Sequence, residues 1–406
     1  MKRFFGVYQG LPNEIYALFW ARIVESMGSF ITPLITLILT QKIGMSISHA
    51  GTITSIFVIS RAPALILGGK LADSVSRKKI IVFSNLASAV FYFFCSFTST
   101  QHFFIWLLML AADALIVCQP SMEALIADLT PLSQRRQAYS LLYFGLNIGM
   151  TICPLLGGIL FNYHLHLLFI LNSAAIILCA GIIWKFISTD KYPSPDKESS
   201  AEIKSSSSLF QVLKSTPVLL FFIMLLFIFD FCYSQWGFML PTQCSNLFKS
   251  NGAKSYSLMT SLNALVVILF TPMFTQFSKK FHPLLIVAFS SFLYMIGYIG
   301  FGISSSLVSF LIFNIIFTFG EITQTIQLLA FISDHSPKIF LGRISAFSNF
   351  VRGTAQALGP AVMGIVLDRI GYLDSWILIA GLIAAAGIGM LFLNRLEKNT
   401  SGLITD

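Results

Sequence analysis

The sequence predicts an all-α membrane protein with twelve transmembrane helices arranged as two parallel six-helix repeats. Three observations carry this prediction. Of the 406 residues, 56% are hydrophobic and only 11% are charged, whereas about a quarter of the residues in a soluble domain are charged. The apolar residues form runs of about 20, the length at which a helix spans a bilayer. Landmarks of the first half recur in the second at a nearly constant offset.

Twelve apolar runs are predicted to cross the membrane, and we number them as spans one to twelve. They cover 16–40, 47–70, 79–99, 103–127, 138–162, 165–187, 217–240, 256–278, 283–303, 307–332, 343–367 and 374–394. Between spans six and seven the chain is rich in Ser, Lys, Glu and Pro, the composition of a flexible tether. The predicted domains are therefore a six-helix bundle over 1–187, a cytoplasmic linker over 188–216 and a second bundle over 217–406.

The net charge of +9 reflects how basic residues are distributed around the spans. Nineteen Lys and Arg fall in one alternating set of loops and tails, and only four fall in the other. Because cytoplasmic loops carry the excess of basic residues, both termini are predicted to be cytoplasmic. The basic charge then requires no nucleic-acid partner. The six cysteines form no C-x-x-C pair, which argues against a zinc site or a disulfide framework; no metal or cofactor is predicted.

Internal repetition supports the division into two halves. Pro33 recurs as Pro241 at an offset of 208, and Pro154 recurs as Pro360 at an offset of 206. Two copies of six spans in the same order have the same orientation, so they are predicted to be related by an axis normal to the membrane.

A charged stretch with glycine separates spans two and three. Gly69, Asp73 and Arg77 stand at fixed spacing there, and residues four apart share a helical face. An ordinary basic cytoplasmic loop explains the Arg and Lys but not the Gly and Asp. The stretch resembles the G-x-L-a-D-r-x-G-r-k signature of the major facilitator superfamily, with Ser76 where that family has glycine. The resemblance implies the major facilitator fold and a gating loop in which Arg77 pairs with Asp128.

Span five carries a second pattern of small residues. Gly149, Pro154, Gly157 and Gly158 occur there with Cys153 between them, and one interpretation is a generic packing face. The order also resembles the G-x-x-x-G-P-x-x-G-G signature of the drug:proton antiporters within the superfamily, with Cys153 in place of the middle glycine. That resemblance implies proton-driven, multidrug-type efflux.

Ionisable residues within the spans are the candidates for proton coupling. An ion at membrane depth costs roughly 2.5–3.5 kcal/mol on insertion scales and needs a partner or a water-filled cavity. Glu25, Asp113, Asp230 and Glu321 lie on spans one, four, seven and ten, which line the central cavity in the family that the chain resembles. Asp230 and Glu321 fall near the midplane and share at most one cation, Arg352, so at least one of the two acids should be protonated. Glu321 follows a glycine, as in related proton-coupled exporters, and is the predicted principal carrier.

A substrate cavity is predicted from residues on the same spans, namely Arg22, Trp20, Tyr143, Tyr233 and Trp236. Most aromatic residues in a chain with 40 Phe face lipid or core, so this set is a hypothesis based on span membership. The expected partners are a small-molecule substrate, protons and the lipid bilayer, and the expected state is a monomer in the cell inner membrane.

Together these features predict a proton-coupled secondary transporter that exports small lipophilic, often cationic, compounds by alternating access. The sequence holds no G-x-x-x-x-G-K-[ST] loop, which argues against ATP as the energy source. It shows no catalytic Ser/His/Asp or Cys/His signature, so an enzyme is not expected. Three alternatives stay open: a dedicated exporter of one metabolite or siderophore, a non-transporting membrane receptor or scaffold, and an intramembrane enzyme.

Overall fold

A computed structural model describes residues 9–98, 101–131, 134–188, 216–278, 280–336 and 341–402. Within these ranges every regular element is a helix. This follows from the apolar composition, because a helix satisfies its own backbone hydrogen bonds where no water is available.

The helices of the first part of the chain have the following bounds: α1 Asn13–Gly28, α2 Ile31–Leu37 continued by a π-helical turn Ile38–Lys42, α3 Ile47–Ser74, α4 Arg77–Cys95, α5 Gln101–Val117, α6 Gln119–Leu129, α7 Arg135–Leu160 and α8 Leu165–Phe186. Those of the second part are α9 Pro217–Phe248, a 3-10 turn Lys249–Asn251, α10 Gly252–Ser278, α11 Pro283–Ile303, α12 Leu307–His335 and α13 Leu341–Gly402.

Ten stretches of the described chain are long and apolar enough to cross a membrane, and two of them hold two crossings each. Pro217–Ser278 is divided by the 3-10 turn Lys249–Asn251. Ile344–Glu397 is divided at Gly371, whose φ of 77° is not helical and favours glycine because a Cβ is strained there. The described residues therefore contain twelve transmembrane helices, which confirms the predicted fold.

Proline occurs inside several of these helices, at Pro63, Pro154, Pro241, Pro272 and Pro360. Proline removes one backbone hydrogen bond and bends a helix. Transmembrane helices tolerate it because neighbouring helices and Ser or Thr side chains satisfy the freed groups. Of the proline pairs that revealed the repeat, Pro154 and Pro360 both lie inside helices, whereas Pro33 lies in the first turn of α2 and Pro241 lies inside α9.

Contacts divide the chain into two units. The first unit consists of Met1–Ile35 and Ser60–Ala201, and the second of Thr36–Ile59 and Glu202–Asp406. The bundles expected from chain order remain a prediction. Of the predicted linker, only its two end residues lie among the described ones.

The segment Thr36–Ile59 belongs to the second unit through close packing and a hydrogen bond. A Cβ on Gly51 would lie 2.3 Å from the carbonyl oxygen of Pro360. The Ser55 hydroxyl accepts a hydrogen bond of 3.0 Å from the backbone N–H of Ala361. These contacts join the early part of α3 to α13, a pairing that chain order does not suggest.

The first unit packs around α1 and α4. Helix α1 contacts α7 and α8, and α4 contacts α5 and α8. Ile15, Ile81 and Ile183 are fully buried between these helices. These three residues belong to one buried cluster of Leu, Ile, Val, Ala and Cys side chains.

The second unit has an aromatic core. Helix α9 packs on α13, α11 on α12 and α13, and α10 on α12. Tyr294, Tyr298, Phe301, Phe317 and Trp376 are buried, and their rings lie in contact, with the centroids of Tyr298 and Trp376 5.5 Å apart. Large, rigid rings in mutual contact hold the surrounding helices in fixed positions. The same helices, α9, α11, α12 and α13, carry the polar side chains that line a cavity.

Candidate transport site

A cavity of about 240 Å³ lies within the second unit. Its lining combines three charged residues with tyrosine and amide side chains from α9, α11, α12 and α13. The lining residues are Asp230, Tyr233, Tyr294, Glu321, Gln324, Thr325, Leu328, Arg352 and Gln356. Both acids that the sequence placed near the midplane of the second half are in this set.

Asp230 is held by the side chains of α13. Arg352 donates two hydrogen bonds to it, Nε to Oδ2 at 2.7 Å and Nη2 to Oδ1 at 3.2 Å. Gln356, one turn further along α13, donates from Nε2 to Oδ1 at 2.8 Å. The Asp230 side chain is 4% exposed, so the charge of this carboxylate is neutralised by a bidentate guanidinium in a buried setting.

Glu321 is held differently, by neutral donors. The Tyr233 hydroxyl donates to Oε1 at 2.9 Å, and the Asn263 amide donates from Nδ2 to Oε2 at 2.7 Å. The same Nδ2 lies 2.9 Å from Oγ1 of Thr318, one turn earlier on α12. Within the described part of the chain, Glu321 has no ion-pair partner within 4.0 Å. The Glu321 carboxyl is therefore hydrogen-bonded to neutral groups and is not paired with a cation.

Phe317 fixes the ring of Tyr233 beside the carboxylate. The two rings stack with centroids 5.9 Å apart. Trp236 stacks on Phe317 at 6.1 Å, and its indole N–H donates to Oδ1 of Asn314 at 3.0 Å. Tyr233 lines the cavity, and its predicted role in substrate binding stays a prediction. Trp236 does not line this cavity, and its indole bonds to Asn314, which precedes Glu321 on α12 by seven residues.

Two acids predicted for proton coupling belong to the first unit. Glu25 pairs with Arg22, Oε2 to Nη1 at 3.0 Å, within α1. Asp113 accepts a hydrogen bond of 3.0 Å from the hydroxyl of Ser60. The predicted role of these acids in proton coupling stays a prediction.

The aromatic residues predicted for the first-half side of the cavity are largely exposed. The exposed fraction is 61% for Trp20 and 52% for Tyr143. Of the predicted substrate residues, only Tyr233 lines the cavity of the second unit. The predicted role of Arg22, Trp20, Tyr143 and Trp236 in a substrate cavity stays a prediction.

The charged stretch after α3 shows the predicted ion pair. Arg77 contacts the carboxylate of Asp128 and also donates to the carbonyl of Ala124 at 3.1 Å. The side chain of Asp73 lies outside the described residues. A Cβ on Gly69 would meet nothing within 4 Å, so close packing is not what glycine provides at that position.

The small residues of α7 pack on α1 and α2. A Cβ on Gly149 would lie 2.3 Å from the Cβ of Ser26. One on Gly157 would lie 3.2 Å from a methyl carbon of Leu34. Pro154 and Gly158 are buried in the same helix. These contacts are those of a packing face, and the antiporter function implied by the signature stays a prediction.

Comparison with known proteins identifies the family. The model of the Major Facilitator Superfamily matches residues 18–360. The chain belongs to the major facilitator superfamily. As a member, it is a multi-pass membrane transporter that acts on a small-molecule substrate in a lipid environment.

Relatives within the superfamily include cation and drug transporters. The Na(+), Li(+), K(+)/H(+) antiporter of Planococcus maritimus is 23% identical over 81% of this chain and 83% of its own. The multi-drug resistance efflux pump PmrA of Streptococcus pneumoniae is 24% identical over 80% of each chain. A bacterial homologue of the human lysosomal transporter Spinster has a TM-score of 0.71 at 13% identity over 94% of each chain; this likeness concerns the fold alone.

The sequence analysis did not predict the amide side chains that line this cavity or contact Glu321. Gln356 follows Arg352 by four residues and Gln324 follows Glu321 by three, so each shares a helical face with a charged residue. That spacing was a usable signal. Asn263, by contrast, has no charged residue within two turns of it on α10, and only the packing of α10 on α12 brings it to Glu321.

Proposed function

We propose that this protein is a proton-coupled antiporter that exports small lipophilic, often cationic, compounds, and that Glu321 exchanges the proton for the substrate. One observation carries the proposal: of the two acids that line the cavity, one is paired with a cation and the other is bonded only to neutral donors. Arg352 neutralises Asp230, whereas Glu321 is bonded to the neutral groups of Tyr233 and Asn263.

A carboxylate in this setting attracts one positive ligand. Burial of a charge without a counter-ion is costly, and binding of a cation or a proton relieves that cost. The hydrogen bonds from Tyr233 and Asn263 hold the ionised form in place between these events. Because the proton and a cationic substrate neutralise the same charge on Glu321, they compete, and competition for one site is sufficient to couple their movements.

Asp230 is proposed to serve as the ion-pair partner of Arg352 and not as the carrier. Its carboxylate already accepts three hydrogen bonds from α13. Proton uptake there would leave the guanidinium without its counter-ion in a buried site, which is unfavourable. This revises the ranking of the predicted acids in favour of Glu321 alone in the second unit.

Two further considerations support proton-driven export. Each proton that enters a cell down the membrane potential supplies about 2.3 kcal/mol per 100 mV. The names of two relatives, a cation/proton antiporter and a multi-drug efflux pump, agree with an exchange mechanism. We propose that two six-helix bundles, over 1–187 and 217–406, rock about a midplane site during transport. We further propose that both termini are cytoplasmic, that the protein is a monomer and that it is not an enzyme.

The test uses purified full-length protein in weakly buffered detergent solution and inverted vesicles. A panel of lipophilic cations should cause proton release from the wild type, and efflux should stop when an uncoupler abolishes the proton gradient while ATP is present. Glu321→Gln mimics the protonated carboxyl and should abolish the proton release. Asp368→Asn, which alters an exposed acid of α13, is the matched control and should release protons as the wild type does.

Efflux that continues under the uncoupler would refute proton coupling. Proton release by Glu321→Gln equal to that of the wild type would refute the assignment of the carrier.

A further inference from the structure

Three ionisable side chains meet at one end of the second unit, away from the cavity. His282 immediately precedes α11, His335 is the last residue of α12, and Glu397 lies near the end of α13. Oε1 of Glu397 is 2.8 Å from Nε2 of His335 and 3.6 Å from Nε2 of His282. All three side chains are partly buried. None of them lines the cavity, so the proposed exchange at Glu321 gives them no role.

The hydrogen bonds of His335 indicate that its contact with Glu397 requires a proton. Nδ1 of His335 lies 3.0 Å from the carbonyl oxygen of Phe331, and because a carbonyl only accepts, Nδ1 must donate. In a neutral imidazole only one ring nitrogen carries a proton, so Nε2 would present a lone pair to the carboxylate oxygen 2.8 Å away. Two acceptors at that distance repel each other. The contact is attractive only with one further proton, on the imidazole or on Glu397.

The ring of His335 is held in this orientation by an aromatic stack. It lies on the ring of Phe331 with centroids 3.9 Å apart. Phe331 is fully buried, and its ring contacts that of Phe222 on α9 at 4.2 Å between centroids. Rotation of the imidazole away from Glu397 would break both the stack and the bond of Nδ1. The repulsion that follows loss of the proton would instead push Glu397 away from His335.

His282 contributes to the cluster in a different way. Its Nδ1 is buried and has no hydrogen-bond partner in the part of the chain that the structure describes. Neutral His282 therefore keeps its proton on Nε2, facing Glu397, and needs no second proton. At 3.6 Å this contact is too long for a hydrogen bond, and it becomes an ion pair when His282 is protonated. The other charged side chains described beside the cluster, Lys280 and Arg395, are exposed.

The contact between His335 and Glu397 joins two helices that otherwise touch little. Helices α12 and α13 each pack extensively on α11 and have few contacts with each other. Helix α12 also carries Glu321, which precedes His335 by fourteen residues, or about 21 Å along the helix axis. A proton-dependent contact at the end of α12 therefore restrains the helix that carries the proposed proton carrier.

We propose that His335 and Glu397, with His282 beside them, form a proton-binding site distinct from Glu321 that ties the end of α12 to α13 when the proton is bound. The effect on transport rests on the proposed function, since cytoplasmic termini place this cluster at the face where the exporter releases protons. The site takes its proton from the cytoplasmic solution. Because the bound proton restrains α12, export slows as the cytoplasm becomes acidic.

The first experiment measures the thermal stability of the purified full-length protein in detergent between about pH 5 and pH 8, the range in which histidine usually changes charge. Glu397→Gln supplies an NH₂ group that donates to Nε2 of His335 without an added proton. The wild type should be at least as stable as this variant at the acidic end and should lose that advantage at the alkaline end. His335→Gln, whose amide donates to Glu397 at every pH, should give the same result.

His49→Gln is the matched control, because His49 is an exposed histidine of the same unit. This variant should keep the pH profile of the wild type. Each of the two cluster variants tests the site by itself, so failure of one to fold leaves the other decisive. If the stability of a folded cluster variant changes with pH in parallel with that of the wild type, the contact does not depend on a bound proton and the site is overturned.

The second experiment measures transport and separates this inference from the proposed function. Inverted vesicles present the cytoplasmic face to the medium, and efflux by the wild type and by Glu397→Gln is compared at an acidic and an alkaline medium pH. Because Glu321 is present in both proteins, the ratio of the two rates cancels its own response to pH.

The ratio of the variant rate to the wild-type rate should rise about twofold at the pH at which half of the wild-type molecules are tied. A ratio that does not change with pH would overturn the effect on transport. Absence of proton-driven efflux by the wild type would refute the proposed function, and the stability profiles would still decide whether the cluster binds a proton.

Discussion

Arg352 and Asp230 form a bidentate ion pair between α13 and α9, with N–O distances of 2.7 and 3.2 Å. The pair is separated by 122 residues in sequence and lines the same cavity as Glu321. Arg352 is the only cation among the lining residues. Because Asp230 pairs with it, no lining cation is left to pair with Glu321.

Loss of one partner of this pair should cost more stability than loss of both. Removing one member of a buried ion pair typically costs about 3–5 kcal/mol, whereas replacing both with apolar residues is often neutral. We therefore expect Arg352→Leu and Asp230→Leu each to lower the thermal stability of the detergent-solubilised protein. The double variant should recover much of that loss.

The exposed Lys254 supplies the control for this cycle. Lys254→Leu removes a cation from the same half without touching the cavity and should change the unfolding free energy by about 0.5 kcal/mol or less. If the double variant is as unstable as the sum of the two single variants, the two side chains do not act as a pair.

A second prediction concerns the pair of Arg77 and Asp128. The family resemblance assigns this stretch a gating role, so neutralising either residue should slow transport while leaving insertion and folding intact. We expect Arg77→Gln and Asp128→Asn each to lower the rate, and the exchanged variant Arg77→Asp with Asp128→Arg to recover part of it. Lys79→Gln changes an exposed neighbour and should leave the rate near that of the wild type. Equal rates in all variants would remove the pair from gating.

Sequence patterns were sufficient for the fold because its determinants are local. A run of apolar residues predicts a crossing whatever lies beside it, and the breaks at Lys249–Asn251 and Gly371 separate crossings that the hydropathy pattern had already separated. The sequence also pointed to the ion-pair partner of Asp230, because few cations were available to pair with it. Arg352 was the one cation of the second half expected at the depth of Asp230, and the structure pairs the two.

The remaining features depend on contacts between distant residues. Tyr233 and Glu321 are 88 residues apart and Asn263 and Glu321 are 58 apart. A polar residue in an apolar run shows that a partner is needed but not which one. The membership of Thr36–Ile59 in the second unit has the same origin, since it follows from packing against α13 and leaves no periodic signal in the chain.

The last prediction tests that packing at Gly51. A Cβ there would lie 2.3 Å from the carbonyl oxygen of Pro360 and 3.0 Å from the ring of Phe238. A backbone carbonyl in a helix has little room to move, so Gly51→Ala must push α3 away from α13, and overpacking of this kind typically costs about 1–3 kcal/mol. We expect a lower melting temperature in detergent and slower transport. Gly237→Ala is the matched control, because a Cβ at that position of α9 would meet nothing within 4 Å, and it should be tolerated. Equal stability of the two variants would show that α3 does not pack against α13 as closely as described, and the assignment of Thr36–Ile59 to the second unit would lose its main support.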